Sequence, residues 1–205
     1  MRLRAVPLLA ALVVAGCGGT KSAAPTTSVT STTPVATTAA GSSASAGALQ
    51  AEANAAATGD IPDNQVFLTF RSSAAGFSMK YPEGWAQNGK ESRLAFRDKN
   101  NVVRVLVLKG AMPTGAAVRG QLAALKGVHL QSGPRQLTIS GATAIKVVYT
   151  TQSRPNAVTG KRVTLVVDRY YVAHAGKEAI VDLGTPVGVD NVDAYRLMIE
   201  SFRWR

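Results

Sequence analysis

Phe77-Ser78-Met79-Lys80-Tyr81-Pro82-Glu83-Gly84-Trp85 is a strand running into a tight turn, and the rest of the fold is read outward from it. Phe77, Met79 and Tyr81 alternate with Ser78 and Lys80, so three apolar side chains share one face of an extended chain. Pro82-Glu83-Gly84 then turns the chain into Trp85. Further on, Leu94 and Phe96 alternate with Arg93 and Arg97, and the polar tetrad Asp98-Lys99-Asn100-Asn101 reverses the chain. Val102 to Leu108 returns apolar at nearly every position, which predicts a hairpin whose second strand is central.

The signals continue at short spacing. Thr114 as N-cap, Val118, Leu122 and Leu125 at helical steps, and Gly127 as the stop predict a short amphipathic helix. Gly133-Pro134 precedes a strand over Gln136 to Ser140, and a longer one spans Ala142 to Thr151. Arg154 to Lys161, with Pro155, Asn156 and Gly160, reads as a hairpin loop. The next strand carries Val163, Leu165 and Val167 through Tyr170, Tyr171 and Val172, and Ala175-Gly176-Lys177 turns it into Glu178 to Gly184, giving three consecutive antiparallel strands. A last helix begins near Asp190, capped by Asp190 or Asn191, with Val192, Tyr195, Ile199 and Phe202 in one stripe. The expected class is α+β: an antiparallel sheet covered by two or more helices, in residues 61–205.

The N-terminal part has a different composition. Arg2 and Arg4 precede an apolar run from Val6 to Val14, and Ala15-Gly16-Cys17 supplies small residues at a cleavage point, the three parts of a secretory signal. About a dozen apolar residues are too few for a permanent span, which needs roughly 20. Val14-Ala15-Gly16-Cys17 resembles a bacterial lipobox, so residues 1–16 are expected to be removed and Cys17 to carry lipid. Each buried CH₂ of such a lipid adds ~0.8 kcal/mol, and several chains on one cysteine make a lasting anchor. From Gly18 to about Gly59 the chain is mostly Ala, Ser, Thr, Gly and Pro, with Lys21 and Glu52 its only charges. Residues 17–60 are therefore expected to be a disordered stalk with an r.m.s. reach of roughly 35–40 Å, holding the domain off the outer face of the cell membrane.

The segment Phe77 to Trp85 and the close, Ala194-Tyr195-Arg196 to Ser201-Phe202-Arg203, resemble the opening strand and terminal helix of the PsbP-like family. Order and spacing of the intervening elements agree over about residues 66 to 204. That family includes photosystem extrinsic proteins, a nuclear-import factor and, with a lipobox and Ser/Thr-rich stalk, envelope lipoproteins of actinobacteria of the LpqN type. The resemblance implies a PsbP-like α/β sandwich and a binding or assembly role, with no catalytic residues to carry over.

The residues themselves point away from catalysis. Cys17 is the only thiol, and lipidation uses it. His129 and His174 have no ligand-spaced partner, and no G-x-S-x-G turn or phosphate-cradling glycine loop occurs. No metal, cofactor or enzymatic activity is expected. Asp190 and Asp193 suit a helix start rather than calcium.

Charge is the prominent surface feature. Discounting Arg2 and Arg4 from 23 basic residues leaves 21 against 12 acidic, a net +9 on the mature chain. Arg93, Arg97, Lys99 and Arg104 come from one hairpin, and Arg154, Lys161 and Arg162 flank another loop. These seven are the candidate contacts to anionic envelope material, at ~1 kcal/mol per basic residue near a charged surface. Nucleic acid is not the expected partner of an exported chain. Tyr149, Tyr170 and Tyr171 are candidates for lining a pocket. The expected function is a monomeric, membrane-anchored binding or assembly module that meets an envelope protein or anionic wall polymer; the alternative is a small-molecule or lipid carrier with a cavity between helix and sheet.

Overall fold

Alternating apolar residues form strands here because each strand has a face to bury. The computed structural model describes residues 58–205 apart from Ala157; the signal, the lipobox with Cys17 and the stalk up to residue 57 lie outside the described residues, whereas Gly59, expected at the stalk's end, is buried and accepts from Asn101 and Asn191 of the domain. In chain order the elements are β1 (Phe67–Ser72), β2 (Phe77–Pro82), β3 (Ala86–Lys90), β4 (Arg93–Asp98), β5 (Asn101–Lys109), α1 (Gly115–Ala123), β6 (His129–Ile139), β7 (Ala142–Gln152), β8 (Thr164–His174), β9 (Lys177–Pro186), α2 (Val192–Glu200) and β10 (Arg203–Trp204). They make two sheets, one of three strands ordered β1-β2-β10 and one of seven ordered β3-β4-β5-β9-β8-β7-β6, with every pairing antiparallel.

The large sheet buries one face against the small sheet and α2, and part of the other against α1. On one face Phe96, Val103, Val105, Tyr170, Val181 and Leu183 meet the small sheet and α2. Aromatic contacts join these layers: Phe96 stacks on Tyr81 with ring centroids 4.0 Å apart and meets Phe70 edge-on at 5.9 Å, while Phe77 stacks on Phe202 at 5.7 Å. On the opposite face α1 inserts Val118 and Leu122 among Ile145, Val147, Tyr149 and Tyr171. In β5, Val103, Val105 and Val107 are buried toward the small sheet, while on the other face Val102 is buried and Leu106 only partly so, which together read as a nearly unbroken apolar run. Gly184, inside β9, has a packing role: a Cβ there would stand 2.9 Å from Val102 Cγ1 and 3.3 Å from Val167 Cγ2.

Several details depart from the sequence reading. The single sheet is replaced by two, because β1, β2 and β10 leave the main sheet to pack on it. The expected strand Gln136 to Ser140 is longer and pairs with the following run: β6 begins at His129 and carries Pro134 in its interior. Proline is tolerated because β6 is an edge strand and its register shifts between Leu130 and Arg135. In α2 the stripe is Tyr195, Met198, Ile199 and, just beyond, Phe202, whereas Val192 is exposed. Leu125 falls past the end of α1 and is also exposed.

Caps follow the same logic. Thr114 accepts a hydrogen bond from the Ala117 N–H at 3.2 Å, as an N-cap should. Asn191 occupies the N-cap position of α2, yet its buried side chain turns elsewhere: it donates to Gly59 O and Thr185 Oγ1 and accepts from the Ile61 N–H. Asp190 Oδ1 takes the Val192 N–H instead, at 3.2 Å.

Candidate functional site

Strand register assembles the site on the α1 face. Where α1 does not reach, over β4, β5 and β9, the sheet is the floor of an open groove of about 620 Å³. Three cross-strand rows cross that floor. The first runs Arg93, Leu106, Ile180, Tyr171; the second Ala95, Arg104, Asp182, Arg169; the third Arg97, Val102, Gly184, Val167, Tyr149. Successive rows are two residues apart on each strand, so all of these side chains share one face. Arg154, just after β7, closes the end beyond the third row, and Leu125 stands at the rim.

Asp182 is the fixed point. Its side chain is only 5% exposed and takes Arg169 through both carboxylate oxygens, at 2.6 Å from Nε and 2.9 Å from Nη2. Arg104 Nη2 adds a third contact at 3.0 Å, with its side chain 42% exposed to the groove. Burial opposes the Arg169 charge, but the hydrogen bonds and the charge of Asp182 prevail and raise its pKa. Tyr149 Oη lies 3.4 Å from Arg104 Nη2 and 3.3 Å from Arg169 Nη2, and accepts from both.

The arrangement leaves positive charge over. Asp182 is the one carboxylate among residues lining the groove, which also brings Arg93, Arg97, Arg104, Arg154 and Arg169 together. Burial first, then the charges of Arg154 and Arg104, pull the Arg97 pKa below its usual value. The Nε atoms of Arg97 and Arg104 are buried and find no hydrogen-bond acceptor among the described residues. Guanidiniums gathered around too few acceptors bind oxyanions, through charge-assisted bonds that water cannot match geometrically.

Of the seven basic candidates, Arg93, Arg97, Arg104 and Arg154 meet in this groove. Lys99 sits in the β4–β5 turn, outside it, and Lys161 and Arg162 lie on the β7–β8 loop, where Arg162 Nη1 donates to Ser153 O at 2.7 Å. The three tyrosines do not line one pocket. Tyr149 lies under the arginines; Tyr171 faces the same way but donates to Gln121 Oε1 of α1; Tyr170 points to the opposite face. Arg169 and Asp182 were not among the sequence candidates. Their signal is the charge each places in the middle of a strand, Arg169 next to Asp168 in β8 and Asp182 between Val181 and Leu183 in β9.

The expected cavity between helix and sheet is present as a cleft of about 630 Å³ under α2, lined by Tyr170, Leu137, Val166 and Ile199. Its central charges are closed on one another, Lys146 Nζ standing 2.5 Å from Asp168 Oδ2.

Tyr149 gives the site a pH signature. Burial, reinforced by the charge of Asp182 and countered by Arg169 and Arg104, pushes its hydroxyl up to about 12. An unfolded tyrosine titrates near 10, so the unfolded chain loses this proton first and stability falls as pH rises between 10 and 12. The contribution is on the order of 2–3 kcal/mol. Tyr149→Phe is expected to flatten that part of the alkaline stability curve in urea titrations at pH 9 to 12. An unchanged slope would assign the alkaline loss to other groups.

No protein-family model matches this chain, and no curated protein matches it in sequence. Solved structures do match. The solution structure of cyanobacterial PsbP (CyanoP) from Synechocystis sp. PCC 6803 aligns with a TM-score of 0.50 at 14% identity, over 72% of this chain and 98% of that one. LpqN of Mycobacterium tuberculosis, described as involved in cell envelope biogenesis, aligns at 0.41 and 14% identity, over 68% and 91% of the two chains. The Ran-binding protein Mog1p of Saccharomyces cerevisiae aligns at 0.43 and 8% identity, over 69% and 96%. The likeness to CyanoP shows that the fold is PsbP-like; at such identity a shared fold leaves function to be argued from the site.

Proposed function

We propose that this chain is an extracytoplasmic lipoprotein of the actinobacterial type, anchored in the cell membrane through Cys17, whose single domain is a non-enzymatic binding module of the envelope. The observation that carries the reading is the groove, where five arginines surround one carboxylate. Such a site recruits an anionic group and needs no reaction to do so. The export signal and lipobox support the location, and the stalk gives the domain reach from the membrane surface. The cleft under α2 suits a carrier less well, because Lys146 and Asp168 already neutralise each other.

In-cell photocrosslinking tests this, with the probe replacing Ala95 on the groove floor and, as the outside position, Lys99. A discrete adduct from position 95 that position 99 does not give is expected. In Cys17→Ala cells the protein is expected in the soluble fraction without that adduct. Equal, diffuse labelling from both positions would mean that the basic surface attracts anions generally and that the groove is not the site.

A further inference from the structure

We propose that the groove is built for a phosphate ester carrying an apolar chain, with the phosphate on Arg97, Arg104 and Arg154 and the chain along Leu106, Ile180 and Leu125. This rests on the groove being the binding site and adds the chemistry of its ligand. The first argument is stoichiometric. Arg169 is taken up by Asp182 through two contacts, and Arg104 reaches Asp182 with one nitrogen, Nη2. Arg97 and Arg154 form no ion pair among the described residues. The Nη end of Arg97, the guanidinium of Arg154 and part of that of Arg104 are therefore left for a ligand here, with Arg93 further along the groove, and the charges of Arg154 and Arg104 both bear on Arg97.

The second argument is geometrical. One guanidinium fork satisfies both oxygens of a planar carboxylate, as Arg169 does for Asp182. Three forks carried by β4, β5 and the segment after β7 have donors left over after a carboxylate is bound. The terminal oxygens of a tetrahedral phosphate ester present acceptors in several directions, and the charge of a monoester, near −2, offsets more of the cluster.

The third argument separates an ester from a bare anion. One row beyond Arg104 the middle of the floor is apolar, with Arg93 at its outer edge beside Leu106: Leu106 and Ile180 are cross-strand partners, both only partly buried, and Leu125 at the rim is 43% exposed. An inorganic anion has no use for that end. An alkyl chain leaving the phosphate would cover it, at roughly 25 cal/mol for each Å² removed from water. The volume, about 620 Å³, is in the range of small-ligand sites.

The test uses the full chain held in phosphatidylcholine nanodiscs and titrates it calorimetrically with dihexanoyl phosphatidic acid, a short-chain lipid phosphate, kept monomeric. Saturable binding at one site is expected, at least tenfold tighter than inorganic phosphate and than dihexanoyl phosphatidylcholine. Replacing both Arg97→Gln and Arg154→Gln is expected to weaken it at least tenfold, with circular dichroism unchanged. Replacing Lys99→Gln and Lys161→Gln removes the same charge outside the groove and is expected to change affinity less than twofold.

Equal losses in the two double variants would assign binding to bulk charge and overturn the proposal. Inorganic phosphate binding as tightly as the ester would remove the apolar subsite, and phosphatidylcholine binding equally well would remove the phosphate subsite; either overturns it. Absence of lipid binding beside a discrete polypeptide adduct from position 95 would overturn the ligand chemistry and leave the binding-module reading standing. Absence of both would remove the two together.

Discussion

Asp182→Asn is expected to lower the unfolding free energy by about 3 kcal/mol, because it leaves a charge that burial has already separated from water without its counter-charge. Arg169 is the charge in question, its side chain 13% exposed and held at 2.6 Å and 2.9 Å by the carboxylate. The amide retains one acceptor oxygen, so geometry is largely kept while the compensation is lost. Arg104, more open to water, suffers less. A fall in the urea midpoint with an unchanged m-value is the signature. Combining Asp182→Asn with Arg169→Met is expected to recover part of the loss, since an apolar replacement of both partners removes the unpaired charge. A loss below about 1 kcal/mol in the single variant would show that water reaches Arg169 well enough to stand in for the carboxylate.

Phe96→Ala is expected to cost still more, about 4 kcal/mol, the usual range for emptying a fully buried aromatic site being 3–5. Phe96 is 0% exposed and stands where the two sheets meet, stacked on Tyr81 of β2 and edge-on to Phe70 of β1. Truncation removes its own buried area and the support of both neighbours. For a domain of this size the change corresponds to roughly 10 °C or more in Tm. Calorimetry would show whether unfolding stays a single transition; early melting of the small sheet alone would mean that the two sheets are held together by other contacts. Phe96 also neighbours Arg97, so a loosened β4 is expected to weaken groove binding even though Phe96 faces away from it.

Much of this architecture is legible in the sequence, and the parts that are not share a cause. The β4–β5 hairpin, strands β7 to β9 and α2 show themselves because local alternation and turn residues coincide with the faces they bury. β3, with every residue exposed, has no alternation to read and exists by pairing with β4. β10 is two residues long and exists by pairing with Phe77 and Ser78. Strands made by a partner rather than by their own pattern leave no periodic trace.

The site divides in the same way. Density of arginine along the β4–β5 hairpin marks Arg93, Arg97 and Arg104, which the register puts on one face, but the same criterion takes in Lys99, Lys161 and Arg162, which turns and loops carry elsewhere. Parity alone would have separated Tyr170 from Tyr171, since adjacent residues of a strand face opposite ways. Arg169 and Asp182 escape density because neither lies in a basic cluster, Arg169 following Asp168 and Asp182 standing between Val181 and Leu183; opposite charges at paired positions of two successive strands are the better signal for a pair buried on one face.

A last consequence concerns error. Strands β5 and β9 carry Val, Leu and Ile on both faces, which gives weak instructions about which face is which. Sliding one strand by a single residue would turn Arg104 toward Phe96 and Leu183, or Asp182 toward Met198, and leave a bare charge in hydrocarbon at a cost of several kcal/mol. The row Arg104–Asp182–Arg169 thus acts like the parity bit in a transmitted word: it says little about the message and invalidates every copy read one position out of frame.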